Sequence, residues 1–230
     1  EVAAEHPRTG ERRRATSAHV AMVAVDEEGR PRPVGATITP RDAAERAVVE
    51  AARVRKEARA RRLADRAAKA AEVGGEEENL RSALEVSRIV FPEDAVAGNK
   101  MFAGTLLLAI DEVASILAVR YARGPVVTAS IDALDFYAPI YVGNIVIYQA
   151  AINHVGRTSI EVGVRVLAED PRSATLRHTC TAYLTAVHVG PDGRPAPLPP
   201  FSPTTPAEQR RWREAEARRA LRQARRAALA

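Results

Sequence analysis

Between residues 104 and 122 the apolar positions Leu106, Ile110, Val113 and Leu117 recur at helical spacing, and the residues between them are mostly apolar too. This predicts a helix apolar nearly all round, stopped by Gly124-Pro125. Downstream the period drops to two. Residues 126–136, 144–155, 159–169 and 176–189 alternate apolar and polar and predict three or four strands. Upstream, 82–90 predicts a short strand followed by an opening loop, "FPEDAVAGNKMFAG". Two charged segments have helical spacing: 42–72, begun at Asp42 after Pro40 and ended near Gly74-Gly75, and 207–228 after a Pro-rich stretch at 195–206. Residues 2–5 and 13–25 read as a strand pair joined by a Pro-Arg-Thr-Gly turn.

One apolar helix followed by an antiparallel meander long enough to wrap it is an α+β arrangement. Alternation in the strands buries one sheet face and leaves the other facing outward. A helix with no polar face needs more cover than one sheet supplies. A second copy of the unit is the natural cover, so pairing of units follows from burial.

The chain also repeats itself. Residues 1–34 laid on residues 165–198, an offset of 164, align without a gap. Shared are Ala-Glu-x-Pro-Arg, an alternating strand ending in Val-x-Val, and Gly-Arg-Pro-x-Pro. This divides the chain into a C-terminal remnant of a first unit at 1–40, a charged helical linker at 41–79, a complete unit at 80–200 and a charged helix at 201–230. By the same offset a complete first unit would begin roughly 80 residues before residue 1.

Composition refines this picture at three points. Of 230 residues, 46% are hydrophobic and only 4% aromatic, so the core is built from Val, Ile, Leu and Ala. There are 34 Lys and Arg against 29 Asp and Glu, and the excess gathers in the two charged helices. Acidic residues interleave with the arginines there, which favours solvated helix faces over a nucleic-acid or lipid surface. The single cysteine, Cys180, excludes an internal disulfide and fits a reducing, cytoplasmic setting. It lies in a strand pattern two residues from His178 and reads as a buried structural thiol. No run of about 18 apolar residues predicts a membrane span.

The candidate chemistry centres on Asp111 and Glu112, which interrupt the apolar helix with no Lys or Arg three or four residues away. Asp111 shares its face with Gly104, Leu108, Ser115 and Ala118, while Glu112 lies about 100° round. Two readings of Asp111 stand level: it activates a water or attacks a carbonyl, or it is an edge acid paired with a remote arginine. At the helix start, Ala103 and Gly104 place free backbone N–H groups where an oxyanion could sit.

The stretch from Pro92 to Gly193 resembles the hot-dog-fold acyl-coenzyme A thioesterases. It is similar above all to the branch of the brain-type cytosolic acyl-CoA hydrolase, a tandem hot dog, and its single-domain bacterial relatives. The ordered elements are Pro92-x-Asp94, Phe102-x-Gly104-Thr105, Asp111-Glu112, Val126-Val127-Thr128-Ala129, Asp135-Phe136-x-x-Pro139, Val142-Gly143-Asn144 and Gly156-Arg157-Thr158-Ser159. The resemblance implies an antiparallel sheet wrapped around a central helix and paired with a second hot-dog unit. It implies hydrolysis of fatty acyl-CoA to a fatty acid and coenzyme A. Asp111 would be general base or nucleophile, and the Gly104 N–H would polarise the thioester carbonyl. Val127, Thr128 and Ala129, with Gly156, Arg157, Thr158 and Ser159, would contact coenzyme A. No metal or separate cofactor is implied, coenzyme A being part of the substrate. The expected partners are acyl-CoA and further copies of the chain, as a trimer of hot-dog pairs, with no nucleic acid and no membrane. Two positions depart from the family pattern. Where the family carries an Asn that faces the Asp across the pair, this chain has Val96 or, with "VAGN" aligned instead, a deletion; Asn99 is nearby but out of register, and Ala103 replaces the first Gly of a Gly-Gly. A non-hydrolytic acyl-CoA-binding or regulatory module is therefore the alternative function.

Overall fold

The computed structural model describes residues 1–27, 30–70, 83–96 and 99–227, with 65–70 and 225–227 as backbone only. The Gly74-Gly75 helix stop, the start of the complete unit at Leu80 and the first residue of the 82–90 strand lie outside the described residues. The elements in order are β1 (Val2–Glu5), β2 (Arg12–Thr16), α1 (Ala43–Ala70), β3 (Ala83–Ile89), a 3-10 turn at Pro92–Asp94, β4 (Ala95–Val96), β5 (Lys100–Met101), α2 (Ala103–Ala122), β6 (Val126–Ile131), β7 (Ile145–Val155), β8 (Ser159–Asp170), β9 (Thr175–His188) and α3 (Pro206–Ala227). The chain forms two compact units, Glu1–Arg41 and Asp42–Ala230.

In the larger unit, β3, β7, β8, β9 and β6 form one antiparallel sheet in that order. Helix α2 touches every strand of it. This is the α+β hot-dog arrangement expected above. The core is aliphatic, as the composition requires. Leu106, Ile110, Val113, Ala114, Leu117 and Ala118 on α2 meet Val146, Tyr148, Val162, Val164, Val166, Ala182 and Leu184 on the sheet. Cys180 is buried in the same cluster, and His178 Nε2 lies 3.0 Å from the Cys180 carbonyl oxygen.

Two strands end earlier than their alternation predicts. The segment 126–136 leaves the ladder after Ile131, although the Asp132 N–H still bonds the Tyr183 carbonyl at 2.9 Å and the Tyr137 N–H bonds that of Thr179 at 2.9 Å. Between those anchors Asp135 turns its buried carboxylate to Arg59 and Arg62 of α1, at 3.2 and 2.9 Å. The strand expected at 13–25 is only Arg12–Thr16, the stretch that faces Val2–Glu5 of β1; Val25 pairs instead with Pro31 as an isolated bridge.

The smaller unit repeats the β8–β9 hairpin in detail. Val2, Ala3, Ala4 and Glu5 face Thr16, Arg14, Arg13 and Arg12, while Val166, Leu167, Ala168 and Glu169 face Cys180, His178, Arg177 and Leu176. The register slips at the same step in both, between Val2 and Ala3 and between Val166 and Leu167. The Val25–Pro31 bridge likewise matches Val189–Pro195. The alignment at an offset of 164 is thus a repeat of backbone pairing as well as of residue type.

The arginine-rich helices are more than solvated faces, which corrects the charge-based expectation. On α3, Trp212 stacks on His154 of β7 with centroids 4.1 Å apart. Arg218 donates to Glu161 Oε1 at 3.0 and 2.7 Å, and Arg222 donates to Glu161 Oε2 and Asp132 Oδ2, each at 2.7 Å. Glu161 is buried on β8, and among the described residues its charge is held by these two guanidiniums and a long contact from Asn153. Removing one member of a buried pair leaves a desolvated charge, at a cost of about 3 kcal/mol. Glu161→Ala is expected to lower unfolding free energy by about that amount in urea denaturation. The triple change with Arg218→Ala and Arg222→Ala is expected to cost less than the sum of its parts. Strict additivity would show that the three residues do not act as one network.

Candidate functional site

The loop that launches α2 is fixed from several sides. Pro92 opens its 3-10 turn, and the carboxylate of Asp94 at the end of that turn accepts the Phe91 N–H at 2.9 Å and pairs with Arg88 of β3. The Asp94 carbonyl then accepts the Phe102 N–H at 2.8 Å, closing the loop where α2 begins. The Met101 N–H bonds the Ile140 carbonyl and the Val142 N–H bonds that of Asn99, at 2.9 and 3.0 Å. Asn144 closes the adjoining turn by accepting the Tyr141 N–H at 3.0 Å, and Gly143 supplies the φ of +86° that this turn requires. Three of the ordered family elements, Pro92-x-Asp94, Asp135-Phe136-x-x-Pro139 and Val142-Gly143-Asn144, are therefore fasteners of loops and of α1.

Asn99 adopts φ +60°, a left-handed conformation in which Asn is enriched, and offers its carbonyl to Val142. That accounts for an asparagine here without a catalytic role. Val96, exposed on β4, brings no amide to the site.

Helix α2 starts with no side-chain cap, so its first N–H groups, Gly104's among them, have no acceptor within the helix. The Phe102 ring folds back over this end; a Cβ on Gly104 would stand 2.5 Å from its nearest carbon. Two turns further on, Asp111 is half-buried at the border of the core face. Its Oδ1 accepts the Thr128 hydroxyl at 2.7 Å, and Oδ2 has no protein donor among the described residues. A carboxylate with one oxygen oriented and the other open suits proton transfer from a water. The remote arginine considered as its partner is not there; the partner is a hydroxyl. Glu112 is exposed.

Thr128 reaches Asp111 through a local irregularity. Thr128 faces Ala186 on β9 and Ser130 faces Thr185, so Ala129 is an extra residue in β6. Such a bulge re-aims neighbouring side chains and is common beside active sites. Val127, Thr128 and Ala129 are all exposed on this edge strand.

Gly156, Arg157, Thr158 and Ser159 form the β7–β8 turn. The Gly156 N–H bonds the Ser159 carbonyl at 2.7 Å, the His188 N–H bonds that of Thr158, and the Leu198 N–H bonds that of Arg157. Ser159 and Val127 both lie opposite Val187 of β9. The turn thus sits level with Thr128 and Asp111 at one end of the sheet, two strand spacings or roughly 10 Å away. The two segments singled out in the sequence are brought together. Among the described residues no cluster of His, Cys, Asp or Glu could hold a metal ion, and no helix is long and apolar enough to cross a membrane.

A family model described as the thioesterase superfamily matches residues 98–175. Protein VdlD of Helicobacter pylori is 41% identical over 142 residues, which cover 62% of this chain and 81% of that protein. An acyl-CoA hydrolase from Staphylococcus aureus, solved in complex with butyryl coenzyme A and coenzyme A, superposes with a TM-score of 0.60 at 36% identity, over 64% of this chain and 90% of that one. A hexameric acyl-CoA thioesterase superposes with a TM-score of 0.61 at 38% identity, over 65% of this chain and 96% of that one. The Staphylococcus aureus enzyme has also been solved with an aspartate, an asparagine or a threonine changed to alanine. Its threonine follows its aspartate by 17 positions, as Thr128 follows Asp111. Its asparagine precedes the aspartate by 15 positions, where this chain has Val96.

The loop before α2 carries a pH dependence of known sign. Burial by itself raises the Asp94 carboxyl, but the Arg88 guanidinium and the Phe91 N–H outweigh it and hold it below its ordinary value. A depressed carboxyl contributes stability that is complete above its unfolded pKa, about 3.9, and is lost as pH falls through the folded value. Asp94→Asn is expected to destabilise the protein by roughly 1–3 kcal/mol at neutral pH. In denaturation curves recorded through the acid range, the gap between variant and parent is expected to close below about pH 4. A gap that stays constant with pH would mean that the Asp94 charge is not what fastens the loop.

Proposed function

The chain belongs to the thioesterase superfamily, and we propose from that premise that it hydrolyses acyl-CoA to a carboxylic acid and coenzyme A. The observation that carries this reading is the 2.7 Å hydrogen bond from Thr128 to Asp111, made by two residues at the same separation as the substituted pair in the Staphylococcus aureus hydrolase. Asp111 acts as the base. Thr128 holds one carboxylate oxygen, and the other takes a proton from the attacking water. The N–H of Gly104 polarises the thioester carbonyl. Val127 to Ala129 and Gly156 to Ser159 receive coenzyme A, and no metal or further cofactor takes part.

Helix geometry narrows the mechanism. Gly104 and Asp111 share a face but are seven residues, or about 10 Å, apart along the axis. Asp111 therefore cannot itself attack a carbonyl seated on the Gly104 N–H of its own helix. It works through a water, or on a carbonyl seated at the helix end of a facing unit.

A facing unit is also what the surface asks for. Leu108, Ile116 and Val119 on α2, with Val127 and Ile131 on the edge strand β6, are exposed apolar residues around Asp111. A second hot-dog unit covers them in our reading, and the hexameric thioesterase supports assembly into a trimer of such pairs. The repeated hairpin supports the tandem, brain-type organisation, with 1–40 as part of a first unit, 41–79 as linker, 80–200 as the second unit and 201–230 as its terminal helix. We place the protein in the cytoplasm, in keeping with a sequence that holds a single cysteine.

The second reading, a module that binds acyl-CoA without hydrolysing it, rests on Val96. If the missing amide is supplied by no other unit, the site holds substrate and turns over little. Thiol release from acyl-CoA separates the two. Asp111→Ala is expected to lower kcat by about 10² to 10⁴ while coenzyme A binding persists, and Thr128→Val to lower it by about tenfold through loss of one hydrogen bond. Equal rates for the parent and Asp111→Ala would remove Asp111 from the chemistry. Tight coenzyme A binding with no thiol release by the parent would favour the non-hydrolytic module.

A further inference from the structure

The C-terminal helix ends up beside the turn that receives coenzyme A in the reading above. Its rotation is set by the flanking arginines. Arg218 and Arg222 both point to Glu161, and Trp212 lies on His154. Arg219 is 100° round from Arg218. It is exposed and forms no ion pair among the described residues. Its Nη1 stands 3.6 Å from where a Cβ on Gly156 would be, and the Ser159 hydroxyl stands 3.3 Å from the same point. Arg157, on the turn itself, is also exposed and without an ion pair among the described residues.

The charge pattern around this turn is uneven. Arg218 and Arg222 are neutralised by Glu161 and Asp132. Arg157 belongs to the glycine turn that Arg219 approaches, and neither is in an ion pair among the described residues, although Glu216 of α3 shares the neighbourhood of His154 with Arg219. Like charges at one turn repel, and a shared anion converts that repulsion into attraction. Guanidinium groups are matched to phosphate oxygens, which they bind in bidentate fashion. The missing side chain at Gly156 leaves the approach open.

We propose that Arg219 of α3, acting with Arg157 across the Gly156–Ser159 turn, binds a phosphate of the coenzyme A moiety, which makes the C-terminal helix part of the substrate site. This rests on the acyl-CoA reading and extends it to a helix that the thioesterase superfamily match at 98–175 does not reach. The turn lies level with Thr128 and roughly 10 Å from it, within reach of the pantetheine arm that separates a thioester from its nearest phosphate. Residues 218 and 222 hold the helix in place, and residue 219 uses that placement.

Equilibrium binding on the full chain tests this, with coenzyme A, dephospho-coenzyme A and phosphate-free pantetheine as probes. Arg219→Ala is expected to weaken coenzyme A binding about tenfold or more, the usual scale for a hydrogen bond to a charged group. It should flatten the salt dependence and leave pantetheine binding and melting temperature as in the parent. Arg219→Lys should retain part of the affinity. Arg213→Ala, which removes the same charge from α3 at 120° from Arg219, should change nothing. If the Arg219→Ala penalty vanishes with dephospho-coenzyme A, the contact is with the 3′-phosphate; if it persists, the contact is with the diphosphate. Both outcomes support the proposal. Unchanged coenzyme A binding by Arg219→Ala would overturn it, as would equal losses for coenzyme A and pantetheine with a lowered melting temperature. A parent chain that binds neither coenzyme A nor pantetheine would overturn the acyl-CoA reading and this inference with it, a result distinct from binding that ignores Arg219.

Discussion

Helix α2 has almost no polar surface to give to water, and the sheet covers only part of it. Ile110, Val113, Leu117 and Ala118 are sealed against the strands, each large side chain contributing about 1.5–3 kcal/mol by leaving water. Leu108, Ile116 and Val119, on the same helix, remain exposed. The border between the two faces is where Asp111 lies. A carboxylate there can be held by a strand hydroxyl on its inner side and still meet a substrate on its outer side. Deeper in the core it would be neutralised. Further out it would be one more surface acid with no oriented oxygen. The packing of α2 thus decides the chemistry available to Asp111 before any substrate is considered.

The polar interior follows a different rule. Glu161, Asp135 and Asp94 are buried acids, and each is met by arginine from another element: α3 for Glu161, α1 for Asp135, β3 for Asp94. Arginine suits this use because its fork satisfies two carboxylate oxygens from a distance, with its stem packed on apolar surface. Such pairs add little net stability compared with apolar contacts, but they penalise any other docking of the helices. They fix where α3 lies, and so bring Arg219 to the β7–β8 turn.

Periodicity made the central helix and the long strands legible, because both are governed by burial, which leaves a mark at every second or every third to fourth residue. What it missed depends on pairing. β6 ends at Ile131 although β9 runs on to Thr175, because the chain turns away there to carry Asp135 to Arg59 and Arg62, and β2 covers only the stretch that faces Val2–Glu5 of β1. The tie between Asp111 and Thr128 needed the bulge at Ala129, which no spacing rule announces; resemblance placed Thr128 at the site without announcing its bond to the aspartate. The arginine-rich runs misled for a related reason. Interleaved Glu and Arg at helical spacing look the same whether the arginines face water or a buried acid on a distant strand. The clue lay in Glu161, a charge flanked by Ile160 and Val162 in β8.

The repeat is one of backbone pairing as well as of residue type. A hairpin whose register, bulge and terminal bridge are copied at two places in one chain is more than a similarity of residues, because pairing irregularities are costly to keep without a fold that uses them. Each compact unit carries one copy, so the pairing pattern is kept in both. Beside Asp111 the situation differs: Val96 brings no amide, yet Asp94, eight positions before Phe102, still accepts the Phe91 N–H and pairs with Arg88. The contacts that close the loop therefore do not depend on an amide at position 96, because they are set by the geometry of the loop and not by the group displayed on it.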